Sequence, residues 1–163
     1  LGLSSQLYGF AESSLAIGMI IGSLYAANNA GKLKIQISHK YLLLGSLAMV
    51  PIGLGILTEI NAYLAYGLIV LSLLAGMSFI AVFNVIAQAF MQEQTPTHLL
   101  GKVSSYVMTL TMCAIPAGQA LYGLCFENFA SHSAWIVLFA CLMAVLLSNY
   151  AKGVLAAQKE VIA

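Results

Sequence analysis

Charged side chains are scarce in this chain of 163 residues, where they make up only 7% of the sequence. A soluble domain carries about 25% charged residues, so this chain could not cover a surface that faces water. Hydrophobic residues make up 61% of it, and several apolar runs reach the roughly 20 residues needed to cross a bilayer. The composition therefore predicts an integral membrane protein rather than an apolar bundle buried inside a soluble assembly.

The sequence also lacks any spacing typical of a catalytic or metal-binding site. Its three cysteines, Cys113, Cys125 and Cys141, are an odd number and lie inside apolar runs, where they are typical of small buried hydrophobic residues. The histidines are spread over the breaks between those runs, and no Cys or His pattern matches a metal site. We therefore expect no enzymatic activity, no cofactor, no bound metal and no nucleic-acid partner.

Apolar segments lie at about 10–27, 41–57, 62–90, 103–126 and 134–150. Their lengths predict an all-α, polytopic membrane bundle of about five transmembrane helices. The third segment is longer than one bilayer requires. It should tilt, or continue as helix into the cytoplasm beyond Gln88.

Arginine is absent, and the lysines all fall on one side of this predicted topology. They are Lys32, Lys34 and Lys40 in the first break, Lys102 in the third, and Lys152 and Lys159 in the tail. Positive charge near membrane segments stays on the cytoplasmic side. The pattern therefore places the N-terminus of this chain outside and its C-terminus in the cytoplasm.

The predicted helices differ in character. The second and fifth are bulky and nearly free of polar groups, so we expect them to face lipid. The first, third and fourth carry the small and polar residues, which in a bilayer normally face protein or a water-filled cavity. These three helices should line whatever interior exists.

Glycine and proline mark packing positions on two of those helices. Gly18 and Gly22 form a Gly-x-x-x-Gly pair on the first helix, where a neighbouring backbone can approach closely. Pro116 should kink the fourth helix, Gly118 should let another helix approach the kink, and Gly123 interrupts it further. Static packing and a role in transport both remain open for these residues.

The substrate-pathway candidates are polar and aromatic residues of the third and fourth helices. They are Asn84, Gln88, Thr109, Gln119, Phe83 and Tyr106. Asn84 and Gln88 are four residues apart, so they share a stripe that Gln92 continues. Uncharged amides of this kind can contact a solute or can cross-link neighbouring segments, and the aromatic rings suit hydrophobic or amphiphilic compounds.

Two stretches resemble transporters of the major facilitator superfamily. Thr95-Pro96 followed by Gly101-Lys102-Val103 is similar to the cytoplasmic loop between the tenth and eleventh helices of that family. Pro116 with Gly118 and Gly123 resembles the eleventh helix of its drug-efflux members, and the first helix looks like the eighth. The closest resemblance is to bacterial macrolide-efflux-like and siderophore-exporter-like carriers.

The resemblance implies that the five spans are helices eight to twelve of a twelve-helix carrier in a bacterial inner membrane. Because the chain begins at Leu1 without a signal peptide, we expect it to be the partial C-terminal half of such a carrier. Its partners would be the lipid bilayer, a small-molecule substrate, the seventh helix and the N-terminal half. The carrier would be an antiporter, associated with drug resistance, that exports hydrophobic or amphiphilic compounds by alternating access driven by an ion gradient.

The chain departs from the family at its gate residues. Ala26 and Ala27 stand where many members have an acid and a base, and Lys102 stands where arginine is usual. Lysine keeps the charge but loses bidentate pairing.

Two alternatives stay open: a complete small membrane scaffold subunit without transport activity, and an unrelated permease or channel domain.

Overall fold

The computed structural model describes residues 5–57, 61–129 and 133–162, and this part of the chain is helical with no strand. The helices are α1 (Ser5–Asn28), α2 (Ser38–Leu47), α3 (Val50–Leu57), α4 (Ala62–Gln94), α5 (Thr97–Asn128) and α6 (Ser133–Ile162), with a 3-10 turn at Ile35–Ile37. Five helical segments are long and apolar enough to cross a membrane: Gln6–Asn28, Ile35–Gly55, Ala62–Gln94, Thr97–Asn128 and Ala134–Gly153. The predicted fold class is confirmed.

Helix α4 is the longest element. Its 33 residues span about 50 Å at 1.5 Å per residue, against a hydrocarbon thickness of about 30 Å. The Asn61 side chain accepts a hydrogen bond from the Tyr63 backbone N–H at 3.1 Å and caps its start. Thr95 is extended at its end, as expected for a residue before Pro96. The predicted continuation of this helix beyond Gln88 is confirmed.

The second span is two helices rather than the single helix predicted for 41–57. Helix α2 ends at Leu47 and α3 begins at Val50, with Ala48 and Met49 in a turn between them. Pro51 has no N–H to donate, and within a continuous helix its ring would collide with the Leu47 carbonyl. In the first turn of a new helix that missing donor costs nothing, so the chain restarts the helix there.

Helix α4 is the packing centre of the described residues. Helices α1, α2 and α3 all pack on it, and α6 packs on α2 and α3. A small core of Ala26, Val82 and Ile86 joins α1 to α4. The Tyr66 hydroxyl donates to the Leu7 carbonyl at 2.8 Å and connects the same two helices near their other end.

Helix α5 has no buried residue and makes only slight contact with α6. Its Tyr122 and Phe126 line an apolar groove of about 370 Å³ with residues of α2, α3, α4 and α6. The helix predicted to line an interior is therefore the one with the fewest partners.

The second span, which was predicted to face lipid, also packs against protein in the described residues, while Leu44, Leu47 and Leu54 remain exposed. Helices α2 and α3 lie between α4 and α6, and Gly45, Ser46 and Gly53 are buried there. Helix α6 likewise buries Cys141 and Ser148. The physical reason is that lipid tails are as apolar as leucine, so a bulky apolar helix gains nothing by facing lipid rather than protein. Small residues then decide where two backbones can approach.

Candidate functional site

Gly18 and Gly22 lie directly against the backbone of α4. A Cβ added at Gly18 would stand 2.5 Å from the Leu74 carbonyl oxygen and 3.2 Å from the Leu74 Cα. At Gly22 it would collide with the Ser78 carbonyl oxygen and lie 2.9 Å from the Ala81 Cβ. Only hydrogen fits at either position, so the glycine pair fixes how closely α1 and α4 approach.

The predicted amide stripe of α4 lies away from this contact. Asn84 and Gln88 are exposed, whereas Val82 and Ile86, two residues before each of them, are buried. Two residues turn a helix by about 200°, so the amides and the core occupy nearly opposite faces. Phe83 is half-buried between them.

Neither amide forms a hydrogen bond with the part of the chain that the structure describes. A carboxamide without a partner is costly in hydrocarbon, because each unmade hydrogen bond there costs several kcal/mol. Within a bilayer, Asn84 and Gln88 would therefore require water, a solute or further polypeptide beside this face of α4. This requirement is the strongest indication of a site in the chain.

The α5 candidates are equally exposed. Tyr106 is 62% exposed, and Thr109 and Gln119 are also on the surface. The Thr109 hydroxyl donates to the Ser105 carbonyl of its own helix at 2.8 Å, so it offers only acceptor capacity to a ligand. The Gln119 amide has no partner among the described residues and resembles Asn84 in that respect.

The structure does not bring the α4 and α5 candidates into contact, since α5 buries no side chain. Two of them lie at a similar distance along their helices from the link between α4 and α5. Asn84 and Tyr106 each lie about 15 Å along their helix from the link formed by Thr95 and Pro96. In two helices that cross a bilayer from a common turn, such residues occupy equal depth.

Two features of α5 differ from the expectations, and the kink predicted at Pro116 stays a prediction. The helix runs unbroken through Pro116, and no described atom lies within 4 Å of a Cβ added at Gly118 or Gly123. No helix of the described chain therefore approaches the Pro116 region as predicted. The expected loop is also shorter: Pro96 is the N-cap of α5, and Gly101 and Lys102 lie inside the helix rather than in a turn. An unbroken helix satisfies more backbone groups than a loop at the membrane surface would.

Sequence reasoning missed a groove between α1, α2 and α4. Its volume is about 670 Å³, and its lining is mainly apolar, with Ile21, Leu44, Phe79 and Val82 among the residues. Lys40 also lines it, together with Tyr25 and Tyr41, whose side chains interact with each other. The only signal in the sequence was Lys40-Tyr41 at the start of the second span. The groove itself could not be predicted, because it depends on the positions of the neighbouring helices.

Among the described residues, no group of three His, Cys, Asp or Glu side chains could hold a metal ion. Cys113 and Cys125 are exposed on α5 and Cys141 is buried on α6. Comparison of the chain with protein-family models, with curated proteins and with solved structures gave no match. The functional argument therefore rests on the residues of the chain itself.

Proposed function

We propose that this chain is part of a secondary active transporter of the major facilitator type, which exports hydrophobic or amphiphilic small molecules. The observation that carries the proposal is the set of amides at Asn84, Gln88 and Gln119, which have no hydrogen-bond partner among the described residues and lie on helices long enough to span a membrane. Polar side chains at such positions normally face protein or a water-filled cavity. The short motifs around Pro96 and Pro116 favour this family over other membrane proteins.

In this proposal the candidate residues form part of one wall of a central cavity. Asn84, Gln88 and Gln119 would hydrogen-bond a solute, Thr109 would accept a hydrogen bond, and Phe83 and Tyr106 would contact its apolar part. Helix α5 would be held by the seventh helix and the N-terminal half of the carrier, which accounts for its few partners in this chain. Transport would proceed by rocking of the two halves about the cavity.

The packing of the helices suggests which of them move together during transport. At Gly18 and Gly22 the backbones of α1 and α4 are in direct contact, so any separation of the two helices would lose this close packing. These two helices should therefore move as one body during alternating access. Helix α5, which is only slightly packed here, would adjust its position relative to that body.

A cysteine-accessibility experiment on the full carrier tests the proposal. The native cysteines, two of them exposed, are first replaced by serine or alanine. Single cysteines at Asn84, Gln88, Thr109 and Gln119 should then react with a membrane-impermeant thiol reagent, because a water-filled cavity lets the thiolate form. Val107→Cys is the matched control: Val107 is 47% exposed, and it lies two residues before Thr109, about 200° around α5 from it. It should not react.

Protection by a transported compound would distinguish a carrier cavity from other water-filled spaces. Substrate should slow labelling at the four positions and leave labelling in the loops unchanged. Uniform resistance to the reagent at Asn84, Gln88, Thr109 and Gln119 would show a packed interior, and the scaffold-subunit alternative would then replace the carrier.

We also propose that the membrane is a bacterial inner membrane and that all the lysines face the cytoplasm. Gly31 follows the end of α1, which this topology places in the cytoplasm, and Asn128 ends α5, which it places outside. A Cβ at Gly31 meets no described atom within 4 Å. In the cysteine-free protein, Gly31→Cys should be labelled only from the cytoplasmic side of oriented vesicles, and Asn128→Cys only from outside. The opposite labelling of both cysteines would invert the topology.

A further inference from the structure

The groove between α1, α2 and α4 has the composition of a binding site for an amphiphile. Lys40, Tyr25 and Tyr41 line the end of the groove next to the segment that joins α1 to α2, and we call this end the mouth. Ile21 of α1 and Leu44 of α2 lie one helical turn, about 6 Å, away from the mouth, and with Phe79 and Val82 they form the apolar part of the lining, which we call the floor. A cationic and hydroxyl-bearing end thus joins an apolar channel.

The charge at the mouth is not neutralised by any carboxylate among the described residues. No carboxylate lies within ion-pair distance of Lys40 in the part of the chain that the structure describes. Lys32 and Lys34 are exposed on the segment that precedes α2, and they add positive charge near the same end of the bundle. The groove therefore favours an anionic group at its mouth and hydrocarbon along its floor.

We infer that this groove binds an anionic phospholipid, with the phosphate at Lys40 and the tyrosine hydroxyls and an acyl chain along Ile21, Leu44 and Phe79. Clusters of basic residues at the cytoplasmic end of transmembrane helices bind anionic headgroups, and each such lysine contributes to the attraction. The Tyr25 and Tyr41 rings suit the interfacial level at which a headgroup lies. The open groove, about 670 Å³ in volume, can admit a lipid chain from the side.

This site is separate from the amide positions of the proposed substrate pathway. Val82 lines the groove, whereas Asn84 lies on the nearly opposite face of α4. Lipid binding would stabilise the contact of α1 and α2 with α4, and it does not require that the protein transports anything.

Native mass spectrometry of the full protein, released from nanodiscs of equal parts phosphatidylglycerol and phosphatidylcholine, tests this inference. The protein should retain phosphatidylglycerol in preference to phosphatidylcholine. Lys40→Gln should weaken phosphatidylglycerol retention about fivefold, the attraction of one lysine near a lipid surface. Phosphatidylcholine retention should change little, and Lys40→Arg should restore the preference, because it keeps the charge.

Lys102→Gln is the matched control. Lys102 is exposed, is expected on the same side of the membrane, and lies on α5 outside the groove. If Lys102→Gln weakens retention as much as Lys40→Gln, the attraction is that of the whole surface and the groove site is refuted. Equal retention of the two lipids by the unmodified protein would refute it as well.

A soluble headgroup separates a lipid site from a simple phosphate site. Glycerol phosphate lacks the acyl chains that would lie on Ile21, Leu44 and Phe79, so it should not displace bound phosphatidylglycerol. Full displacement by glycerol phosphate would mean that the apolar groove contributes nothing, and the lipid inference would fall.

Discussion

Replacing Gly22 by alanine should lower the free energy of unfolding by about 2–3 kcal/mol, the upper part of the range for overpacking. The added methyl would collide with the Ser78 carbonyl oxygen and would stand 2.9 Å from the Ala81 Cβ. The Ser78 oxygen belongs to the backbone of α4, so no side-chain rotation can relieve the collision. The two helices would have to separate, and the close packing along α1 and α4 would be lost with them.

Unfolding of the purified protein in mixed micelles, followed by circular dichroism as denaturing detergent is added, measures this loss. Gly67→Ala is the control, because Gly67 lies inside α4 and a Cβ there meets no described atom within 4 Å. It should stabilise the helix by about 0.5–1 kcal/mol, as glycine replacement in a helix does. If the two variants unfold alike, the α1–α4 contact is looser than the structure shows.

The second large effect is expected at Ser148, which has no exposed surface. Its hydroxyl donates to the His39 carbonyl oxygen at 2.7 Å and joins α6 to the start of α2. Ser148→Leu should cost about 3 kcal/mol or more, because the larger side chain has no space and the hydrogen bond is lost. Ser148→Ala should cost only about 0.6 kcal/mol, the average for an interhelical hydrogen bond in a membrane protein.

The same unfolding assay separates these two contributions. Asn149→Leu is the matched control, since Asn149 is the next residue of α6 and is exposed. Its free energy of unfolding should change by less than about 0.5 kcal/mol, as for other surface substitutions. A Ser148→Leu variant as stable as Asn149→Leu would show that α6 does not pack against α2 at this level.

The two prolines within predicted spans show where sequence reasoning stops. Pro51 divides the second span into α2 and α3, whereas α5 passes through Pro116 without a break. Both prolines remove one backbone donor. The difference is that α2 and α3 each pack against α4 and α6, while α5 has almost no partner to hold a new direction. The sequence around Pro116 alone could not reveal that absence.

The glycines show the same limit. Gly22 and Gly118 both lie in apolar helical segments that the sequence marks as packing positions. Only Gly22 meets another backbone in the described residues, and a Cβ at Gly118 would meet nothing within 4 Å. A small residue permits a close approach, but the position of the neighbouring helix decides whether one occurs.

The sequence by itself determined that this protein is all-α and has five helical segments long and apolar enough to span a membrane, because hydrophobic length and scarcity of charge act locally along the chain. The tertiary structure alone decided that α4 is the packing centre, that α5 is nearly unpartnered, and that a groove opens at Lys40. In a bilayer every face of these helices can be apolar, so hydrophobicity does not specify neighbours. The neighbours are specified instead by the backbone contacts at Gly18 and Gly22 and by the hydrogen bond from Ser148.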